Sequence, residues 1–245
     1  GSGTQRVEVA LATRCARARV LRLDQDTTRT KEGHRGILDR FGRGEADIVV
    51  GTQMVAKGLH FPRVTVVGVT DADQGLHFPD FRAHERVFQL LTQVAGRSGR
   101  GDPGVVIVQT FDPEHRVLRR VRAHDVDGFL AEEWEQRRAL GYPPHRRLAA
   151  ITATAPDEPR LDRVLEAVAS RLRSGLPEQE VQVLGPARAV LARINRRHRG
   201  QMLLKGALGD RRKQWLLGVL EAARESVPGG RSVDLALDVD PLHLL

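Results

Sequence analysis

The sequence predicts an α/β protein in two parts, a parallel-sheet domain of residues 1–142 and a smaller α+β domain of residues 143–245. As far as Thr110, short runs rich in Val and Ile alternate with amphipathic helical patterns, which is typical of a parallel sheet covered by helices. Beyond Arg147 the predicted order becomes β-α-β-β-β-α-β, which favours helices on one face of a mostly antiparallel sheet. Between the two patterns, Gly141-Tyr-Pro-Pro144 joins a helix stop to two prolines, and we place the domain boundary there.

Hydrophobic spacing and capping residues define the elements of the first domain. Thr4 is placed to cap a helix that runs to about Ala16, and Cys15 falls near its apolar face, where we expect a packed thiol. Strand 47–50 consists mainly of Ile and Val, which favours burial in a parallel sheet. The other predicted elements are strand 19–23, helix 31–41, a helical turn at 53–57, strand 64–69, helix 81–100, strand 104–110 and two helices between 113 and 140.

The second domain shows shorter apolar runs separated by polar turns, of which Pro228-Gly229-Gly230 is the clearest. Its predicted elements are strand 147–154, helix 159–173, strands 181–184, 188–194 and 201–205, helix 211–225 and strand 233–237.

Composition and charge narrow the class of protein. A chain of 245 residues that is 40% apolar can bury a core, and its formal charge of +8 indicates an anionic partner, of which nucleic acid is the usual one. The single cysteine excludes an internal disulfide and a Cys-x-x-Cys zinc pair, so we expect no metal site and a reducing, cytoplasmic location. No run approaches the roughly 18 apolar residues of a membrane span, and we expect a monomer that does not bind membranes.

The C-terminal half of helix 81–100 carries the most informative candidate site. The apolar stripe of this helix consists of Val87, Leu90, Leu91 and Val94. Gln93, Arg97 and Arg100 lie at i, i+4 and i+7 and form a second stripe about a quarter turn away. Gly96 and Gly99 remove side chains between the arginines, which suits bidentate recognition of a phosphate group. Most helix arginines are merely solvated, so this spacing alone does not decide between the two interpretations.

The segment that follows strand 47–50 is a second candidate phosphate site. Thr52 is placed to cap the turn of helix that Gln53 begins, and Gly58 closes that turn after Lys57. Such a backbone presents amide groups and a hydroxyl to phosphates. A tight loop with ordinary caps explains the same residues, and their spacing does not choose between these interpretations.

The second domain contains a basic run between Pro186 and Trp215, with nine Lys or Arg residues against one acid, Asp210. The nine are Arg188, Arg193, Arg196, Arg197, Arg199, Lys205, Arg211, Arg212 and Lys213. This density favours contact with a phosphate backbone without sequence readout, and a solvated basic face is the alternative. The residues that we expect to contact DNA are Arg193, Arg196, Arg197, Arg199 and Lys213.

Several strings along the chain resemble those of one helicase family. Gln93-Val-Ala-Gly-Arg-Ser-Gly-Arg100 resembles motif VI of superfamily 2 helicases, and Asp47-Ile-Val-Val-Gly-Thr-Gln-Met-Val-Ala-Lys-Gly-Leu-His-Phe-Pro62 resembles motif V of one branch of that superfamily. Together with Asp24-Gln-Asp-Thr-Thr28, Asp80-Phe-Arg82 and Leu237-Asp-Val-Asp-Pro241, they resemble the PriA family of bacterial replication-restart helicases. The resemblance runs from about Gly3 to Pro241 and is more specific in the first half.

The resemblance implies a fold, a chemistry and partners for the chain. The first domain would be the second RecA-like lobe of a helicase motor, with Gln93, Arg97 and Arg100 as catalytic residues that face the γ-phosphate of ATP held by the other lobe. The residues implied to bind nucleotide are Gly96, Gly99, Lys57 and Gly58. Those implied to contact DNA in this lobe are Thr52 and Gln53. The implied partners are branched or single-stranded DNA, the single-strand-binding protein and other primosome proteins.

The chain lacks the sequence that cradles ATP in such motors. No Gly-x-x-x-x-Gly-Lys-Ser/Thr loop occurs in it, so we expect no hydrolysis by this chain alone and expect ATP with Mg²⁺ only in a longer parent protein. In that parent, the resemblance implies that ATP hydrolysis drives 3′ to 5′ unwinding of stalled or branched forks. The alternative is a non-catalytic, fork-binding scaffold whose parent has lost the ATP site, and a generic basic DNA-binding module is a distant third.

Overall fold

The computed structural model of the chain describes residues 2–24, 31–52, 64–95 and 104–244. They form two compact units, one of Gly1–Leu76 with Glu85–His124 and one of His77–His84 with Asp125–Leu245. This division groups the helix before Gly141 and the segment 77–84 with the second unit. The domain bounds of 1–142 and 143–245 stay a prediction, because compactness does not by itself define a domain.

In the first unit, helices alternate with short parallel strands. Strand β1 pairs with β2 and β3 pairs with β4, both in parallel, which confirms the predicted α/β class. Within the described residues these strands form two separate pairs and not the single sheet that the alternation suggests. The elements are α1 (Ser2–Arg14), β1 (Val20–Leu23), α2 (Lys31–Gly42), β2 (Ile48–Gly51), β3 (Val66–Val69), α3 (Asp73–Leu76), α4 (Ala83–Ala95), β4 (Val105–Val108) and α5 (Arg116–Arg122).

The amphipathic pattern of α4 is confirmed by burial. Its buried residues are Ala83, Val87, Phe88, Leu91 and Val94, one stripe of a helix at 3.6 residues per turn, whereas Leu90 of the predicted stripe is half-buried. The helix follows Asp80, whose Oδ1 accepts a hydrogen bond from the backbone N–H of Arg82 at 2.8 Å. This turn sets the start of α4 at Ala83, two residues later than predicted.

The expectation of a packed Cys15 is wrong, because its side chain is exposed. Helix α1 ends at Arg14, so Cys15 lies in the turn after the helix and no longer shares its apolar face. The backbone N–H of Cys15 still donates to the carbonyl of Leu11 at 2.8 Å, as a residue does at the end of a helix.

The second unit is a four-stranded antiparallel sheet with helices on one face, as predicted. The strand order is β6-β7-β5-β8. Asp157 caps α7 by accepting a hydrogen bond from Arg160 N, and Gly141 ends α6 in the left-handed conformation that the sequence predicts for this stop. The elements are α6 (Val126–Leu140), β5 (Arg147–Ala155), α7 (Glu158–Gly175), β6 (Val181–Ile194), β7 (Arg197–Gly206), α8 (Asp210–Ser226), a short 3-10 helix (Gly230–Ser232) and β8 (Asp234–Val239).

Helices α7 and α8 cover one face of this sheet and form the main core. Alternate residues of β5 (Ala149, Ile151, Ala153) are fully buried against Leu161, Leu172 and other residues of the helices. The opposite face, which we call the open face, carries Leu148 and Ala150 at one end. Among the residues described, no helix is both long enough and apolar enough to span a bilayer.

Strand β6 differs from the prediction, because one strand replaces the two predicted at 181–184 and 188–194. Two register shifts, between Leu184 and Ala187 and between Arg188 and Arg193, let β6 stay paired with β7 through irregular stretches. Strand β7 begins four residues earlier than predicted, so much of the basic run lies in a β-hairpin.

Candidate nucleic-acid interface

The turn of the β6–β7 hairpin consists of two residues, Asn195 and Arg196. Ile194 pairs with Arg197 directly before and after them. Both turn residues have positive φ, 49° and 63°, as a type I′ hairpin turn requires. Asn tolerates this conformation, whereas the second position usually holds Gly because a Cβ atom is strained there. The sequence shows no Asn-Gly signal at this turn, and for that reason the hairpin is missed without the structure.

We call residues 189–199 the hairpin tip. Register places its basic residues on different sides of the sheet, because paired neighbours share a face. Arg199 lies opposite Thr154 of β5 and therefore on the open face. Arg193 lies opposite His198, on the side that carries the helices, and Arg196 lies in the turn between the two strands. The arginines thus surround the hairpin tip on both sides and at its end.

The guanidinium groups of Arg193, Arg196 and Arg199 make no hydrogen bond or ion pair with any described residue. Arg193 and Arg196 are exposed and Arg199 is half-buried. The guanidinium group of Arg211, which is exposed near the start of α8, also makes no hydrogen bond or ion pair with any described residue. These four of the nine basic residues therefore present a positive charge that no carboxylate of the described chain neutralises.

Arg197 has a structural role that the sequence does not predict. Its guanidinium group forms an ion pair with Asp234 of β8 and donates to the carbonyl of Thr154 on β5 at 3.1 Å. The side chain thus crosses β5 and ties three strands together. Its charge is already compensated, so the expectation that Arg197 contacts DNA loses its electrostatic basis.

Three further residues of the basic run are paired in the same way. Arg188 contacts Asp162 at 2.9 Å and also Glu158, both on α7. Arg212 pairs with Glu180 and donates to a backbone carbonyl. Lys213 contacts Asp210 at 3.1 Å, one turn earlier on α8.

Lys213 also lies at the wrong end of β7 to act with the hairpin tip. Between Arg197 and Gly206 the strand rises by about 30 Å at ~3.3 Å per residue, and α8 starts just beyond Gly206. The five predicted DNA contacts therefore do not form one surface. Arg196 and Lys213 are close in the sequence, but they lie at opposite ends of β7. The hairpin tip retains Arg193, Arg196 and Arg199.

Lys205 is the basic residue least available to DNA, because it is buried. Its Nζ donates to the carbonyl of Leu140 at 2.8 Å and lies 4.5 Å from the centre of the Tyr142 ring. Burial, followed by repulsion from Arg146, lowers the pKa of Lys205 below its ordinary value. The residue holds the end of α6 against the sheet.

The string Asp80-Phe-Arg82 has a structural role within the second unit. Buried Asp80 accepts a hydrogen bond from the backbone N–H of Leu244 at 3.2 Å. The ring of Phe81 stacks on Tyr142 with a centroid separation of 5.4 Å. The guanidinium groups of Arg82 and Arg137 lie 5.1 and 5.4 Å from the Phe81 ring. The string therefore anchors segment 77–84 and the C-terminal residues.

The string Leu237-Asp-Val-Asp-Pro241 also contributes an anchor. Asp240 binds the guanidinium group of Arg147 at the start of β5, and these hydrogen bonds lower the pKa of the Asp240 carboxyl. Arg147 also donates to the carbonyl of Leu208 at 2.7 Å. Arg147 thus joins the ends of three strands.

Most residues predicted to face ATP lie outside the described residues. They are Arg97, Arg100, Gly96, Gly99, Lys57 and Gly58, together with Gln53 of the predicted DNA contacts. Gln93 is described and lies half-buried on α4. Thr52 is exposed directly after β2, at the carboxyl end of a parallel strand, where α/β sheets commonly bind ligands. The roles of these residues stay predictions.

The hairpin tip also exposes apolar side chains that the sequence analysis did not single out. Val190, Leu191 and Ile194 are 43%, 52% and 39% exposed, whereas Ala189 beside them is buried. A large apolar residue at the edge of a sheet is usually covered or replaced by a charged one. Their combination with the three arginines marks the hairpin tip as the candidate site.

Two family models match the chain in succession. Residues 3–102 match the helicase conserved C-terminal domain, and residues 138–242 match the primosomal protein N C-terminal domain. The first match contains α4 and the predicted ATP-facing residues, and the second contains the hairpin tip.

Curated relatives match the whole length of the chain and are longer proteins. The chain is 44% identical over its whole length to the replication restart protein PriA of Synechocystis, of which it covers 29%. It is 40% identical to that of Bacillus subtilis and 37% identical to that of Treponema pallidum, covering 30% and 36% of them. The chain thus spans about a third of the length of these relatives. Taken with the strings described above, these matches show that the chain belongs to the PriA family of replication restart proteins, of which it contains the helicase C-terminal domain and the primosomal C-terminal domain.

Proposed function

We propose that the chain is a DNA-binding part of a replication-restart protein and that it holds the sugar-phosphate backbone without reading base sequence. The observation that carries this proposal is that the guanidinium groups of Arg193, Arg196 and Arg199 have no hydrogen-bond or ion-pair partner in the described part of the chain. Arg188, Arg197 and Arg212 are paired with carboxylates, whereas Arg211 near the start of α8 has no such partner among the described residues. Three of the four uncompensated arginines of the basic run therefore lie at the hairpin tip. Guanidinium groups bind phosphates in bidentate geometry, and the flexible side chains carry no fixed pattern of base contacts.

The substrate we propose is a stalled or branched replication fork. With an upstream motor lobe, ATP hydrolysis would drive 3′ to 5′ unwinding, and the partners would include the single-strand-binding protein and other primosome proteins. Support comes from the family and from the string Gln93–Arg100, whose arginines would face the γ-phosphate. Among the described residues only Gln93 belongs to this predicted ATP site, so no step of hydrolysis follows from the described geometry.

A fork-binding scaffold without ATP hydrolysis is the alternative. It uses the same arginines of the hairpin tip, because phosphate contact does not depend on the motor. The two functions therefore use the same DNA-binding surface. They differ in ATP hydrolysis, which a longer protein with the upstream lobe would carry out only if it is a helicase. ATP turnover by such a protein in the presence of forked DNA separates them.

The salt dependence of DNA binding tests the proposal. Each phosphate contact releases counterions, so three contacts give a slope of log K against log salt of about −2.7 on duplex DNA and about −2.1 on a single strand. We expect these slopes from fluorescence anisotropy of the purified chain, with equal affinity for two duplexes of unrelated sequence. Binding that does not respond to salt, or that strongly prefers one sequence, would contradict backbone recognition.

A further inference from the structure

We propose that the hairpin tip is an apolar wedge that seats against the last base pair where a DNA duplex opens into two single strands. The proposal rests on the DNA binding proposed above and adds to it the part of the DNA that the tip meets. Three features of the hairpin tip carry it: a bulge, exposed apolar side chains and the surrounding charge.

The bulge pushes part of β6 out of the sheet. Arg188 lies opposite Gly200 and Arg193 opposite His198, so residues 189–192 of β6 all lie opposite the single residue Arg199. The extra residues cannot join the ladder, and bulges of this kind bend a strand and re-aim its side chains. Because β6 is the outer strand in the order β6-β7-β5-β8, no other described strand pairs with its second edge at the bulge.

The side chains on and beside the bulge are apolar and accessible. Leu191 lies within the bulge, and Ile194 precedes the turn residues. Both are branched aliphatic residues with substantial exposure, and neither belongs to the core that α7 and α8 form. Exposed aliphatic side chains of this kind can insert between base steps or lie against a base pair.

The charges around these residues favour nucleic acid as the occupant. Arg193, Arg196 and Arg199 surround the apolar residues, and repulsion between equal charges opposes pairing with a second copy of the tip. An occupant therefore needs negative charge beside apolar flat surfaces. Phosphates and bases supply both, and DNA-binding proteins commonly insert Leu or Ile between base steps while cations hold the backbone.

A duplex end offers these base surfaces at the lowest cost. Inside an intact duplex both faces of each base pair are stacked, and separating a step costs a few kcal/mol. Where two strands part, the outer face of the last pair is already free, and phosphates of both strands lie beside it. The hairpin tip would place Leu191 and Ile194 on this face and its arginines on the two backbones.

The test compares three DNA probes with the same core sequence. They are a fork with two unpaired arms, the same duplex closed by loops at both ends, and one single strand. The fork carries the fluorescent base 2-aminopurine in its last base pair, so that unstacking raises its emission. We expect the chain to bind the fork roughly fivefold or more tightly than the closed duplex, the effect of one stacked base, and to raise the emission.

A double variant, Leu191→Thr with Ile194→Thr, removes the two aliphatic side chains that would lie on the base pair and keeps Val190 and all three arginines. Threonine suits an edge strand, so the fold is preserved. We expect this variant to lose both the preference for the fork and the rise in emission, with an unchanged salt slope on the closed duplex. Leu217→Gln is the control, because Leu217 is 57% exposed on α8 and lies outside the hairpin tip; it should behave like the wild type.

The outcomes separate this inference from the proposed function. Equal affinity for fork and closed duplex, with the expected salt slope, would overturn the wedge and leave backbone binding intact. A double variant that keeps the fork preference and the rise in emission would overturn the wedge as well. If the chain binds none of the probes, both the proposed function and the wedge are wrong.

Discussion

Replacing Arg196 by Gly separates the stability of the hairpin from its binding of DNA. Arg196 has a φ of 63°, and a left-handed conformation costs a residue with a Cβ atom about 1–2 kcal/mol. Glycine avoids that cost but loses about 0.5–1 kcal/mol through its greater freedom in the unfolded chain. The free energy of unfolding of Arg196→Gly should therefore be equal to that of the wild type or higher by up to about 1.5 kcal/mol.

The same substitution should weaken DNA binding. It removes one of three proposed phosphate contacts, so the slope of log K against log salt should become less steep by about 0.9. At 0.15 M salt this corresponds to about fivefold weaker binding, taking the lost contact to contribute nothing at 1 M. Thermal unfolding and fluorescence anisotropy measure the two effects. A less stable variant would refute the strained turn, and unchanged affinity would refute the phosphate contact.

Two further predictions concern the Arg147–Asp240 anchor and the motor. Asp240→Asn removes the charge, and Asn tolerates the φ of 56° at this position. The substitution should lower the free energy of unfolding at pH 7 by at most about 1 kcal/mol, because the ion pair is half-exposed. Because Arg147 lowers the pKa of Asp240, the advantage of the wild type is present above about pH 4 and is lost as pH falls through the lowered pKa. Urea unfolding of both proteins at pH 7 and pH 3 tests this, and a difference in the free energy of unfolding that does not narrow between the two pH values counts against it. In a longer protein with an intact Walker loop, Arg97→Ala or Arg100→Ala should lower ATP turnover by ~10³-fold or more, whereas the isolated chain should not hydrolyse ATP. An unchanged turnover rate would instead support the interpretation that both arginines are merely solvated residues of a helix.

Regular elements were predictable from the sequence because local spacing determines them. The stripe of α4 follows from apolar residues spaced by three and four, and Gly141 marks the end of α6 because its left-handed φ is easiest for glycine. Strand β6 was not predictable as one strand, because bulges interrupt its apolar alternation. The exposure of Cys15 was missed for a related reason, since α1 ends one residue before it.

The candidate site was only partly predictable, because charge density does not reveal pairing. Sequence alone treats Arg197 and Arg199 as equivalent, yet Arg197 reaches Asp234 across the sheet and Arg199 has no such partner among the described residues. Asp234 is 37 residues away in the chain, so only the strand order brings it near. Lys213 was placed in the same group because the sequence does not show that β7 separates it from the hairpin tip.

We propose that the arginines of the hairpin tip, and not the overall positive charge, bind DNA. A triple variant with Arg193, Arg196 and Arg199 replaced by alanine tests it against a control triple of equal charge change. The control replaces Arg122, Arg138 and Arg231, which are 66% to 82% exposed and each paired with a carboxylate.

The deciding measurement is the slope of log K against log salt for duplex binding by both triple variants. The slope for the hairpin-tip triple variant should become less steep by about 2.7, which is 0.9 for each lost contact. The control triple variant should keep the slope of the wild type. Both should unfold near the wild-type temperature, because exposed charges contribute little to stability. Equal changes in the two triples, or no change in either, would contradict a specific role of the hairpin tip.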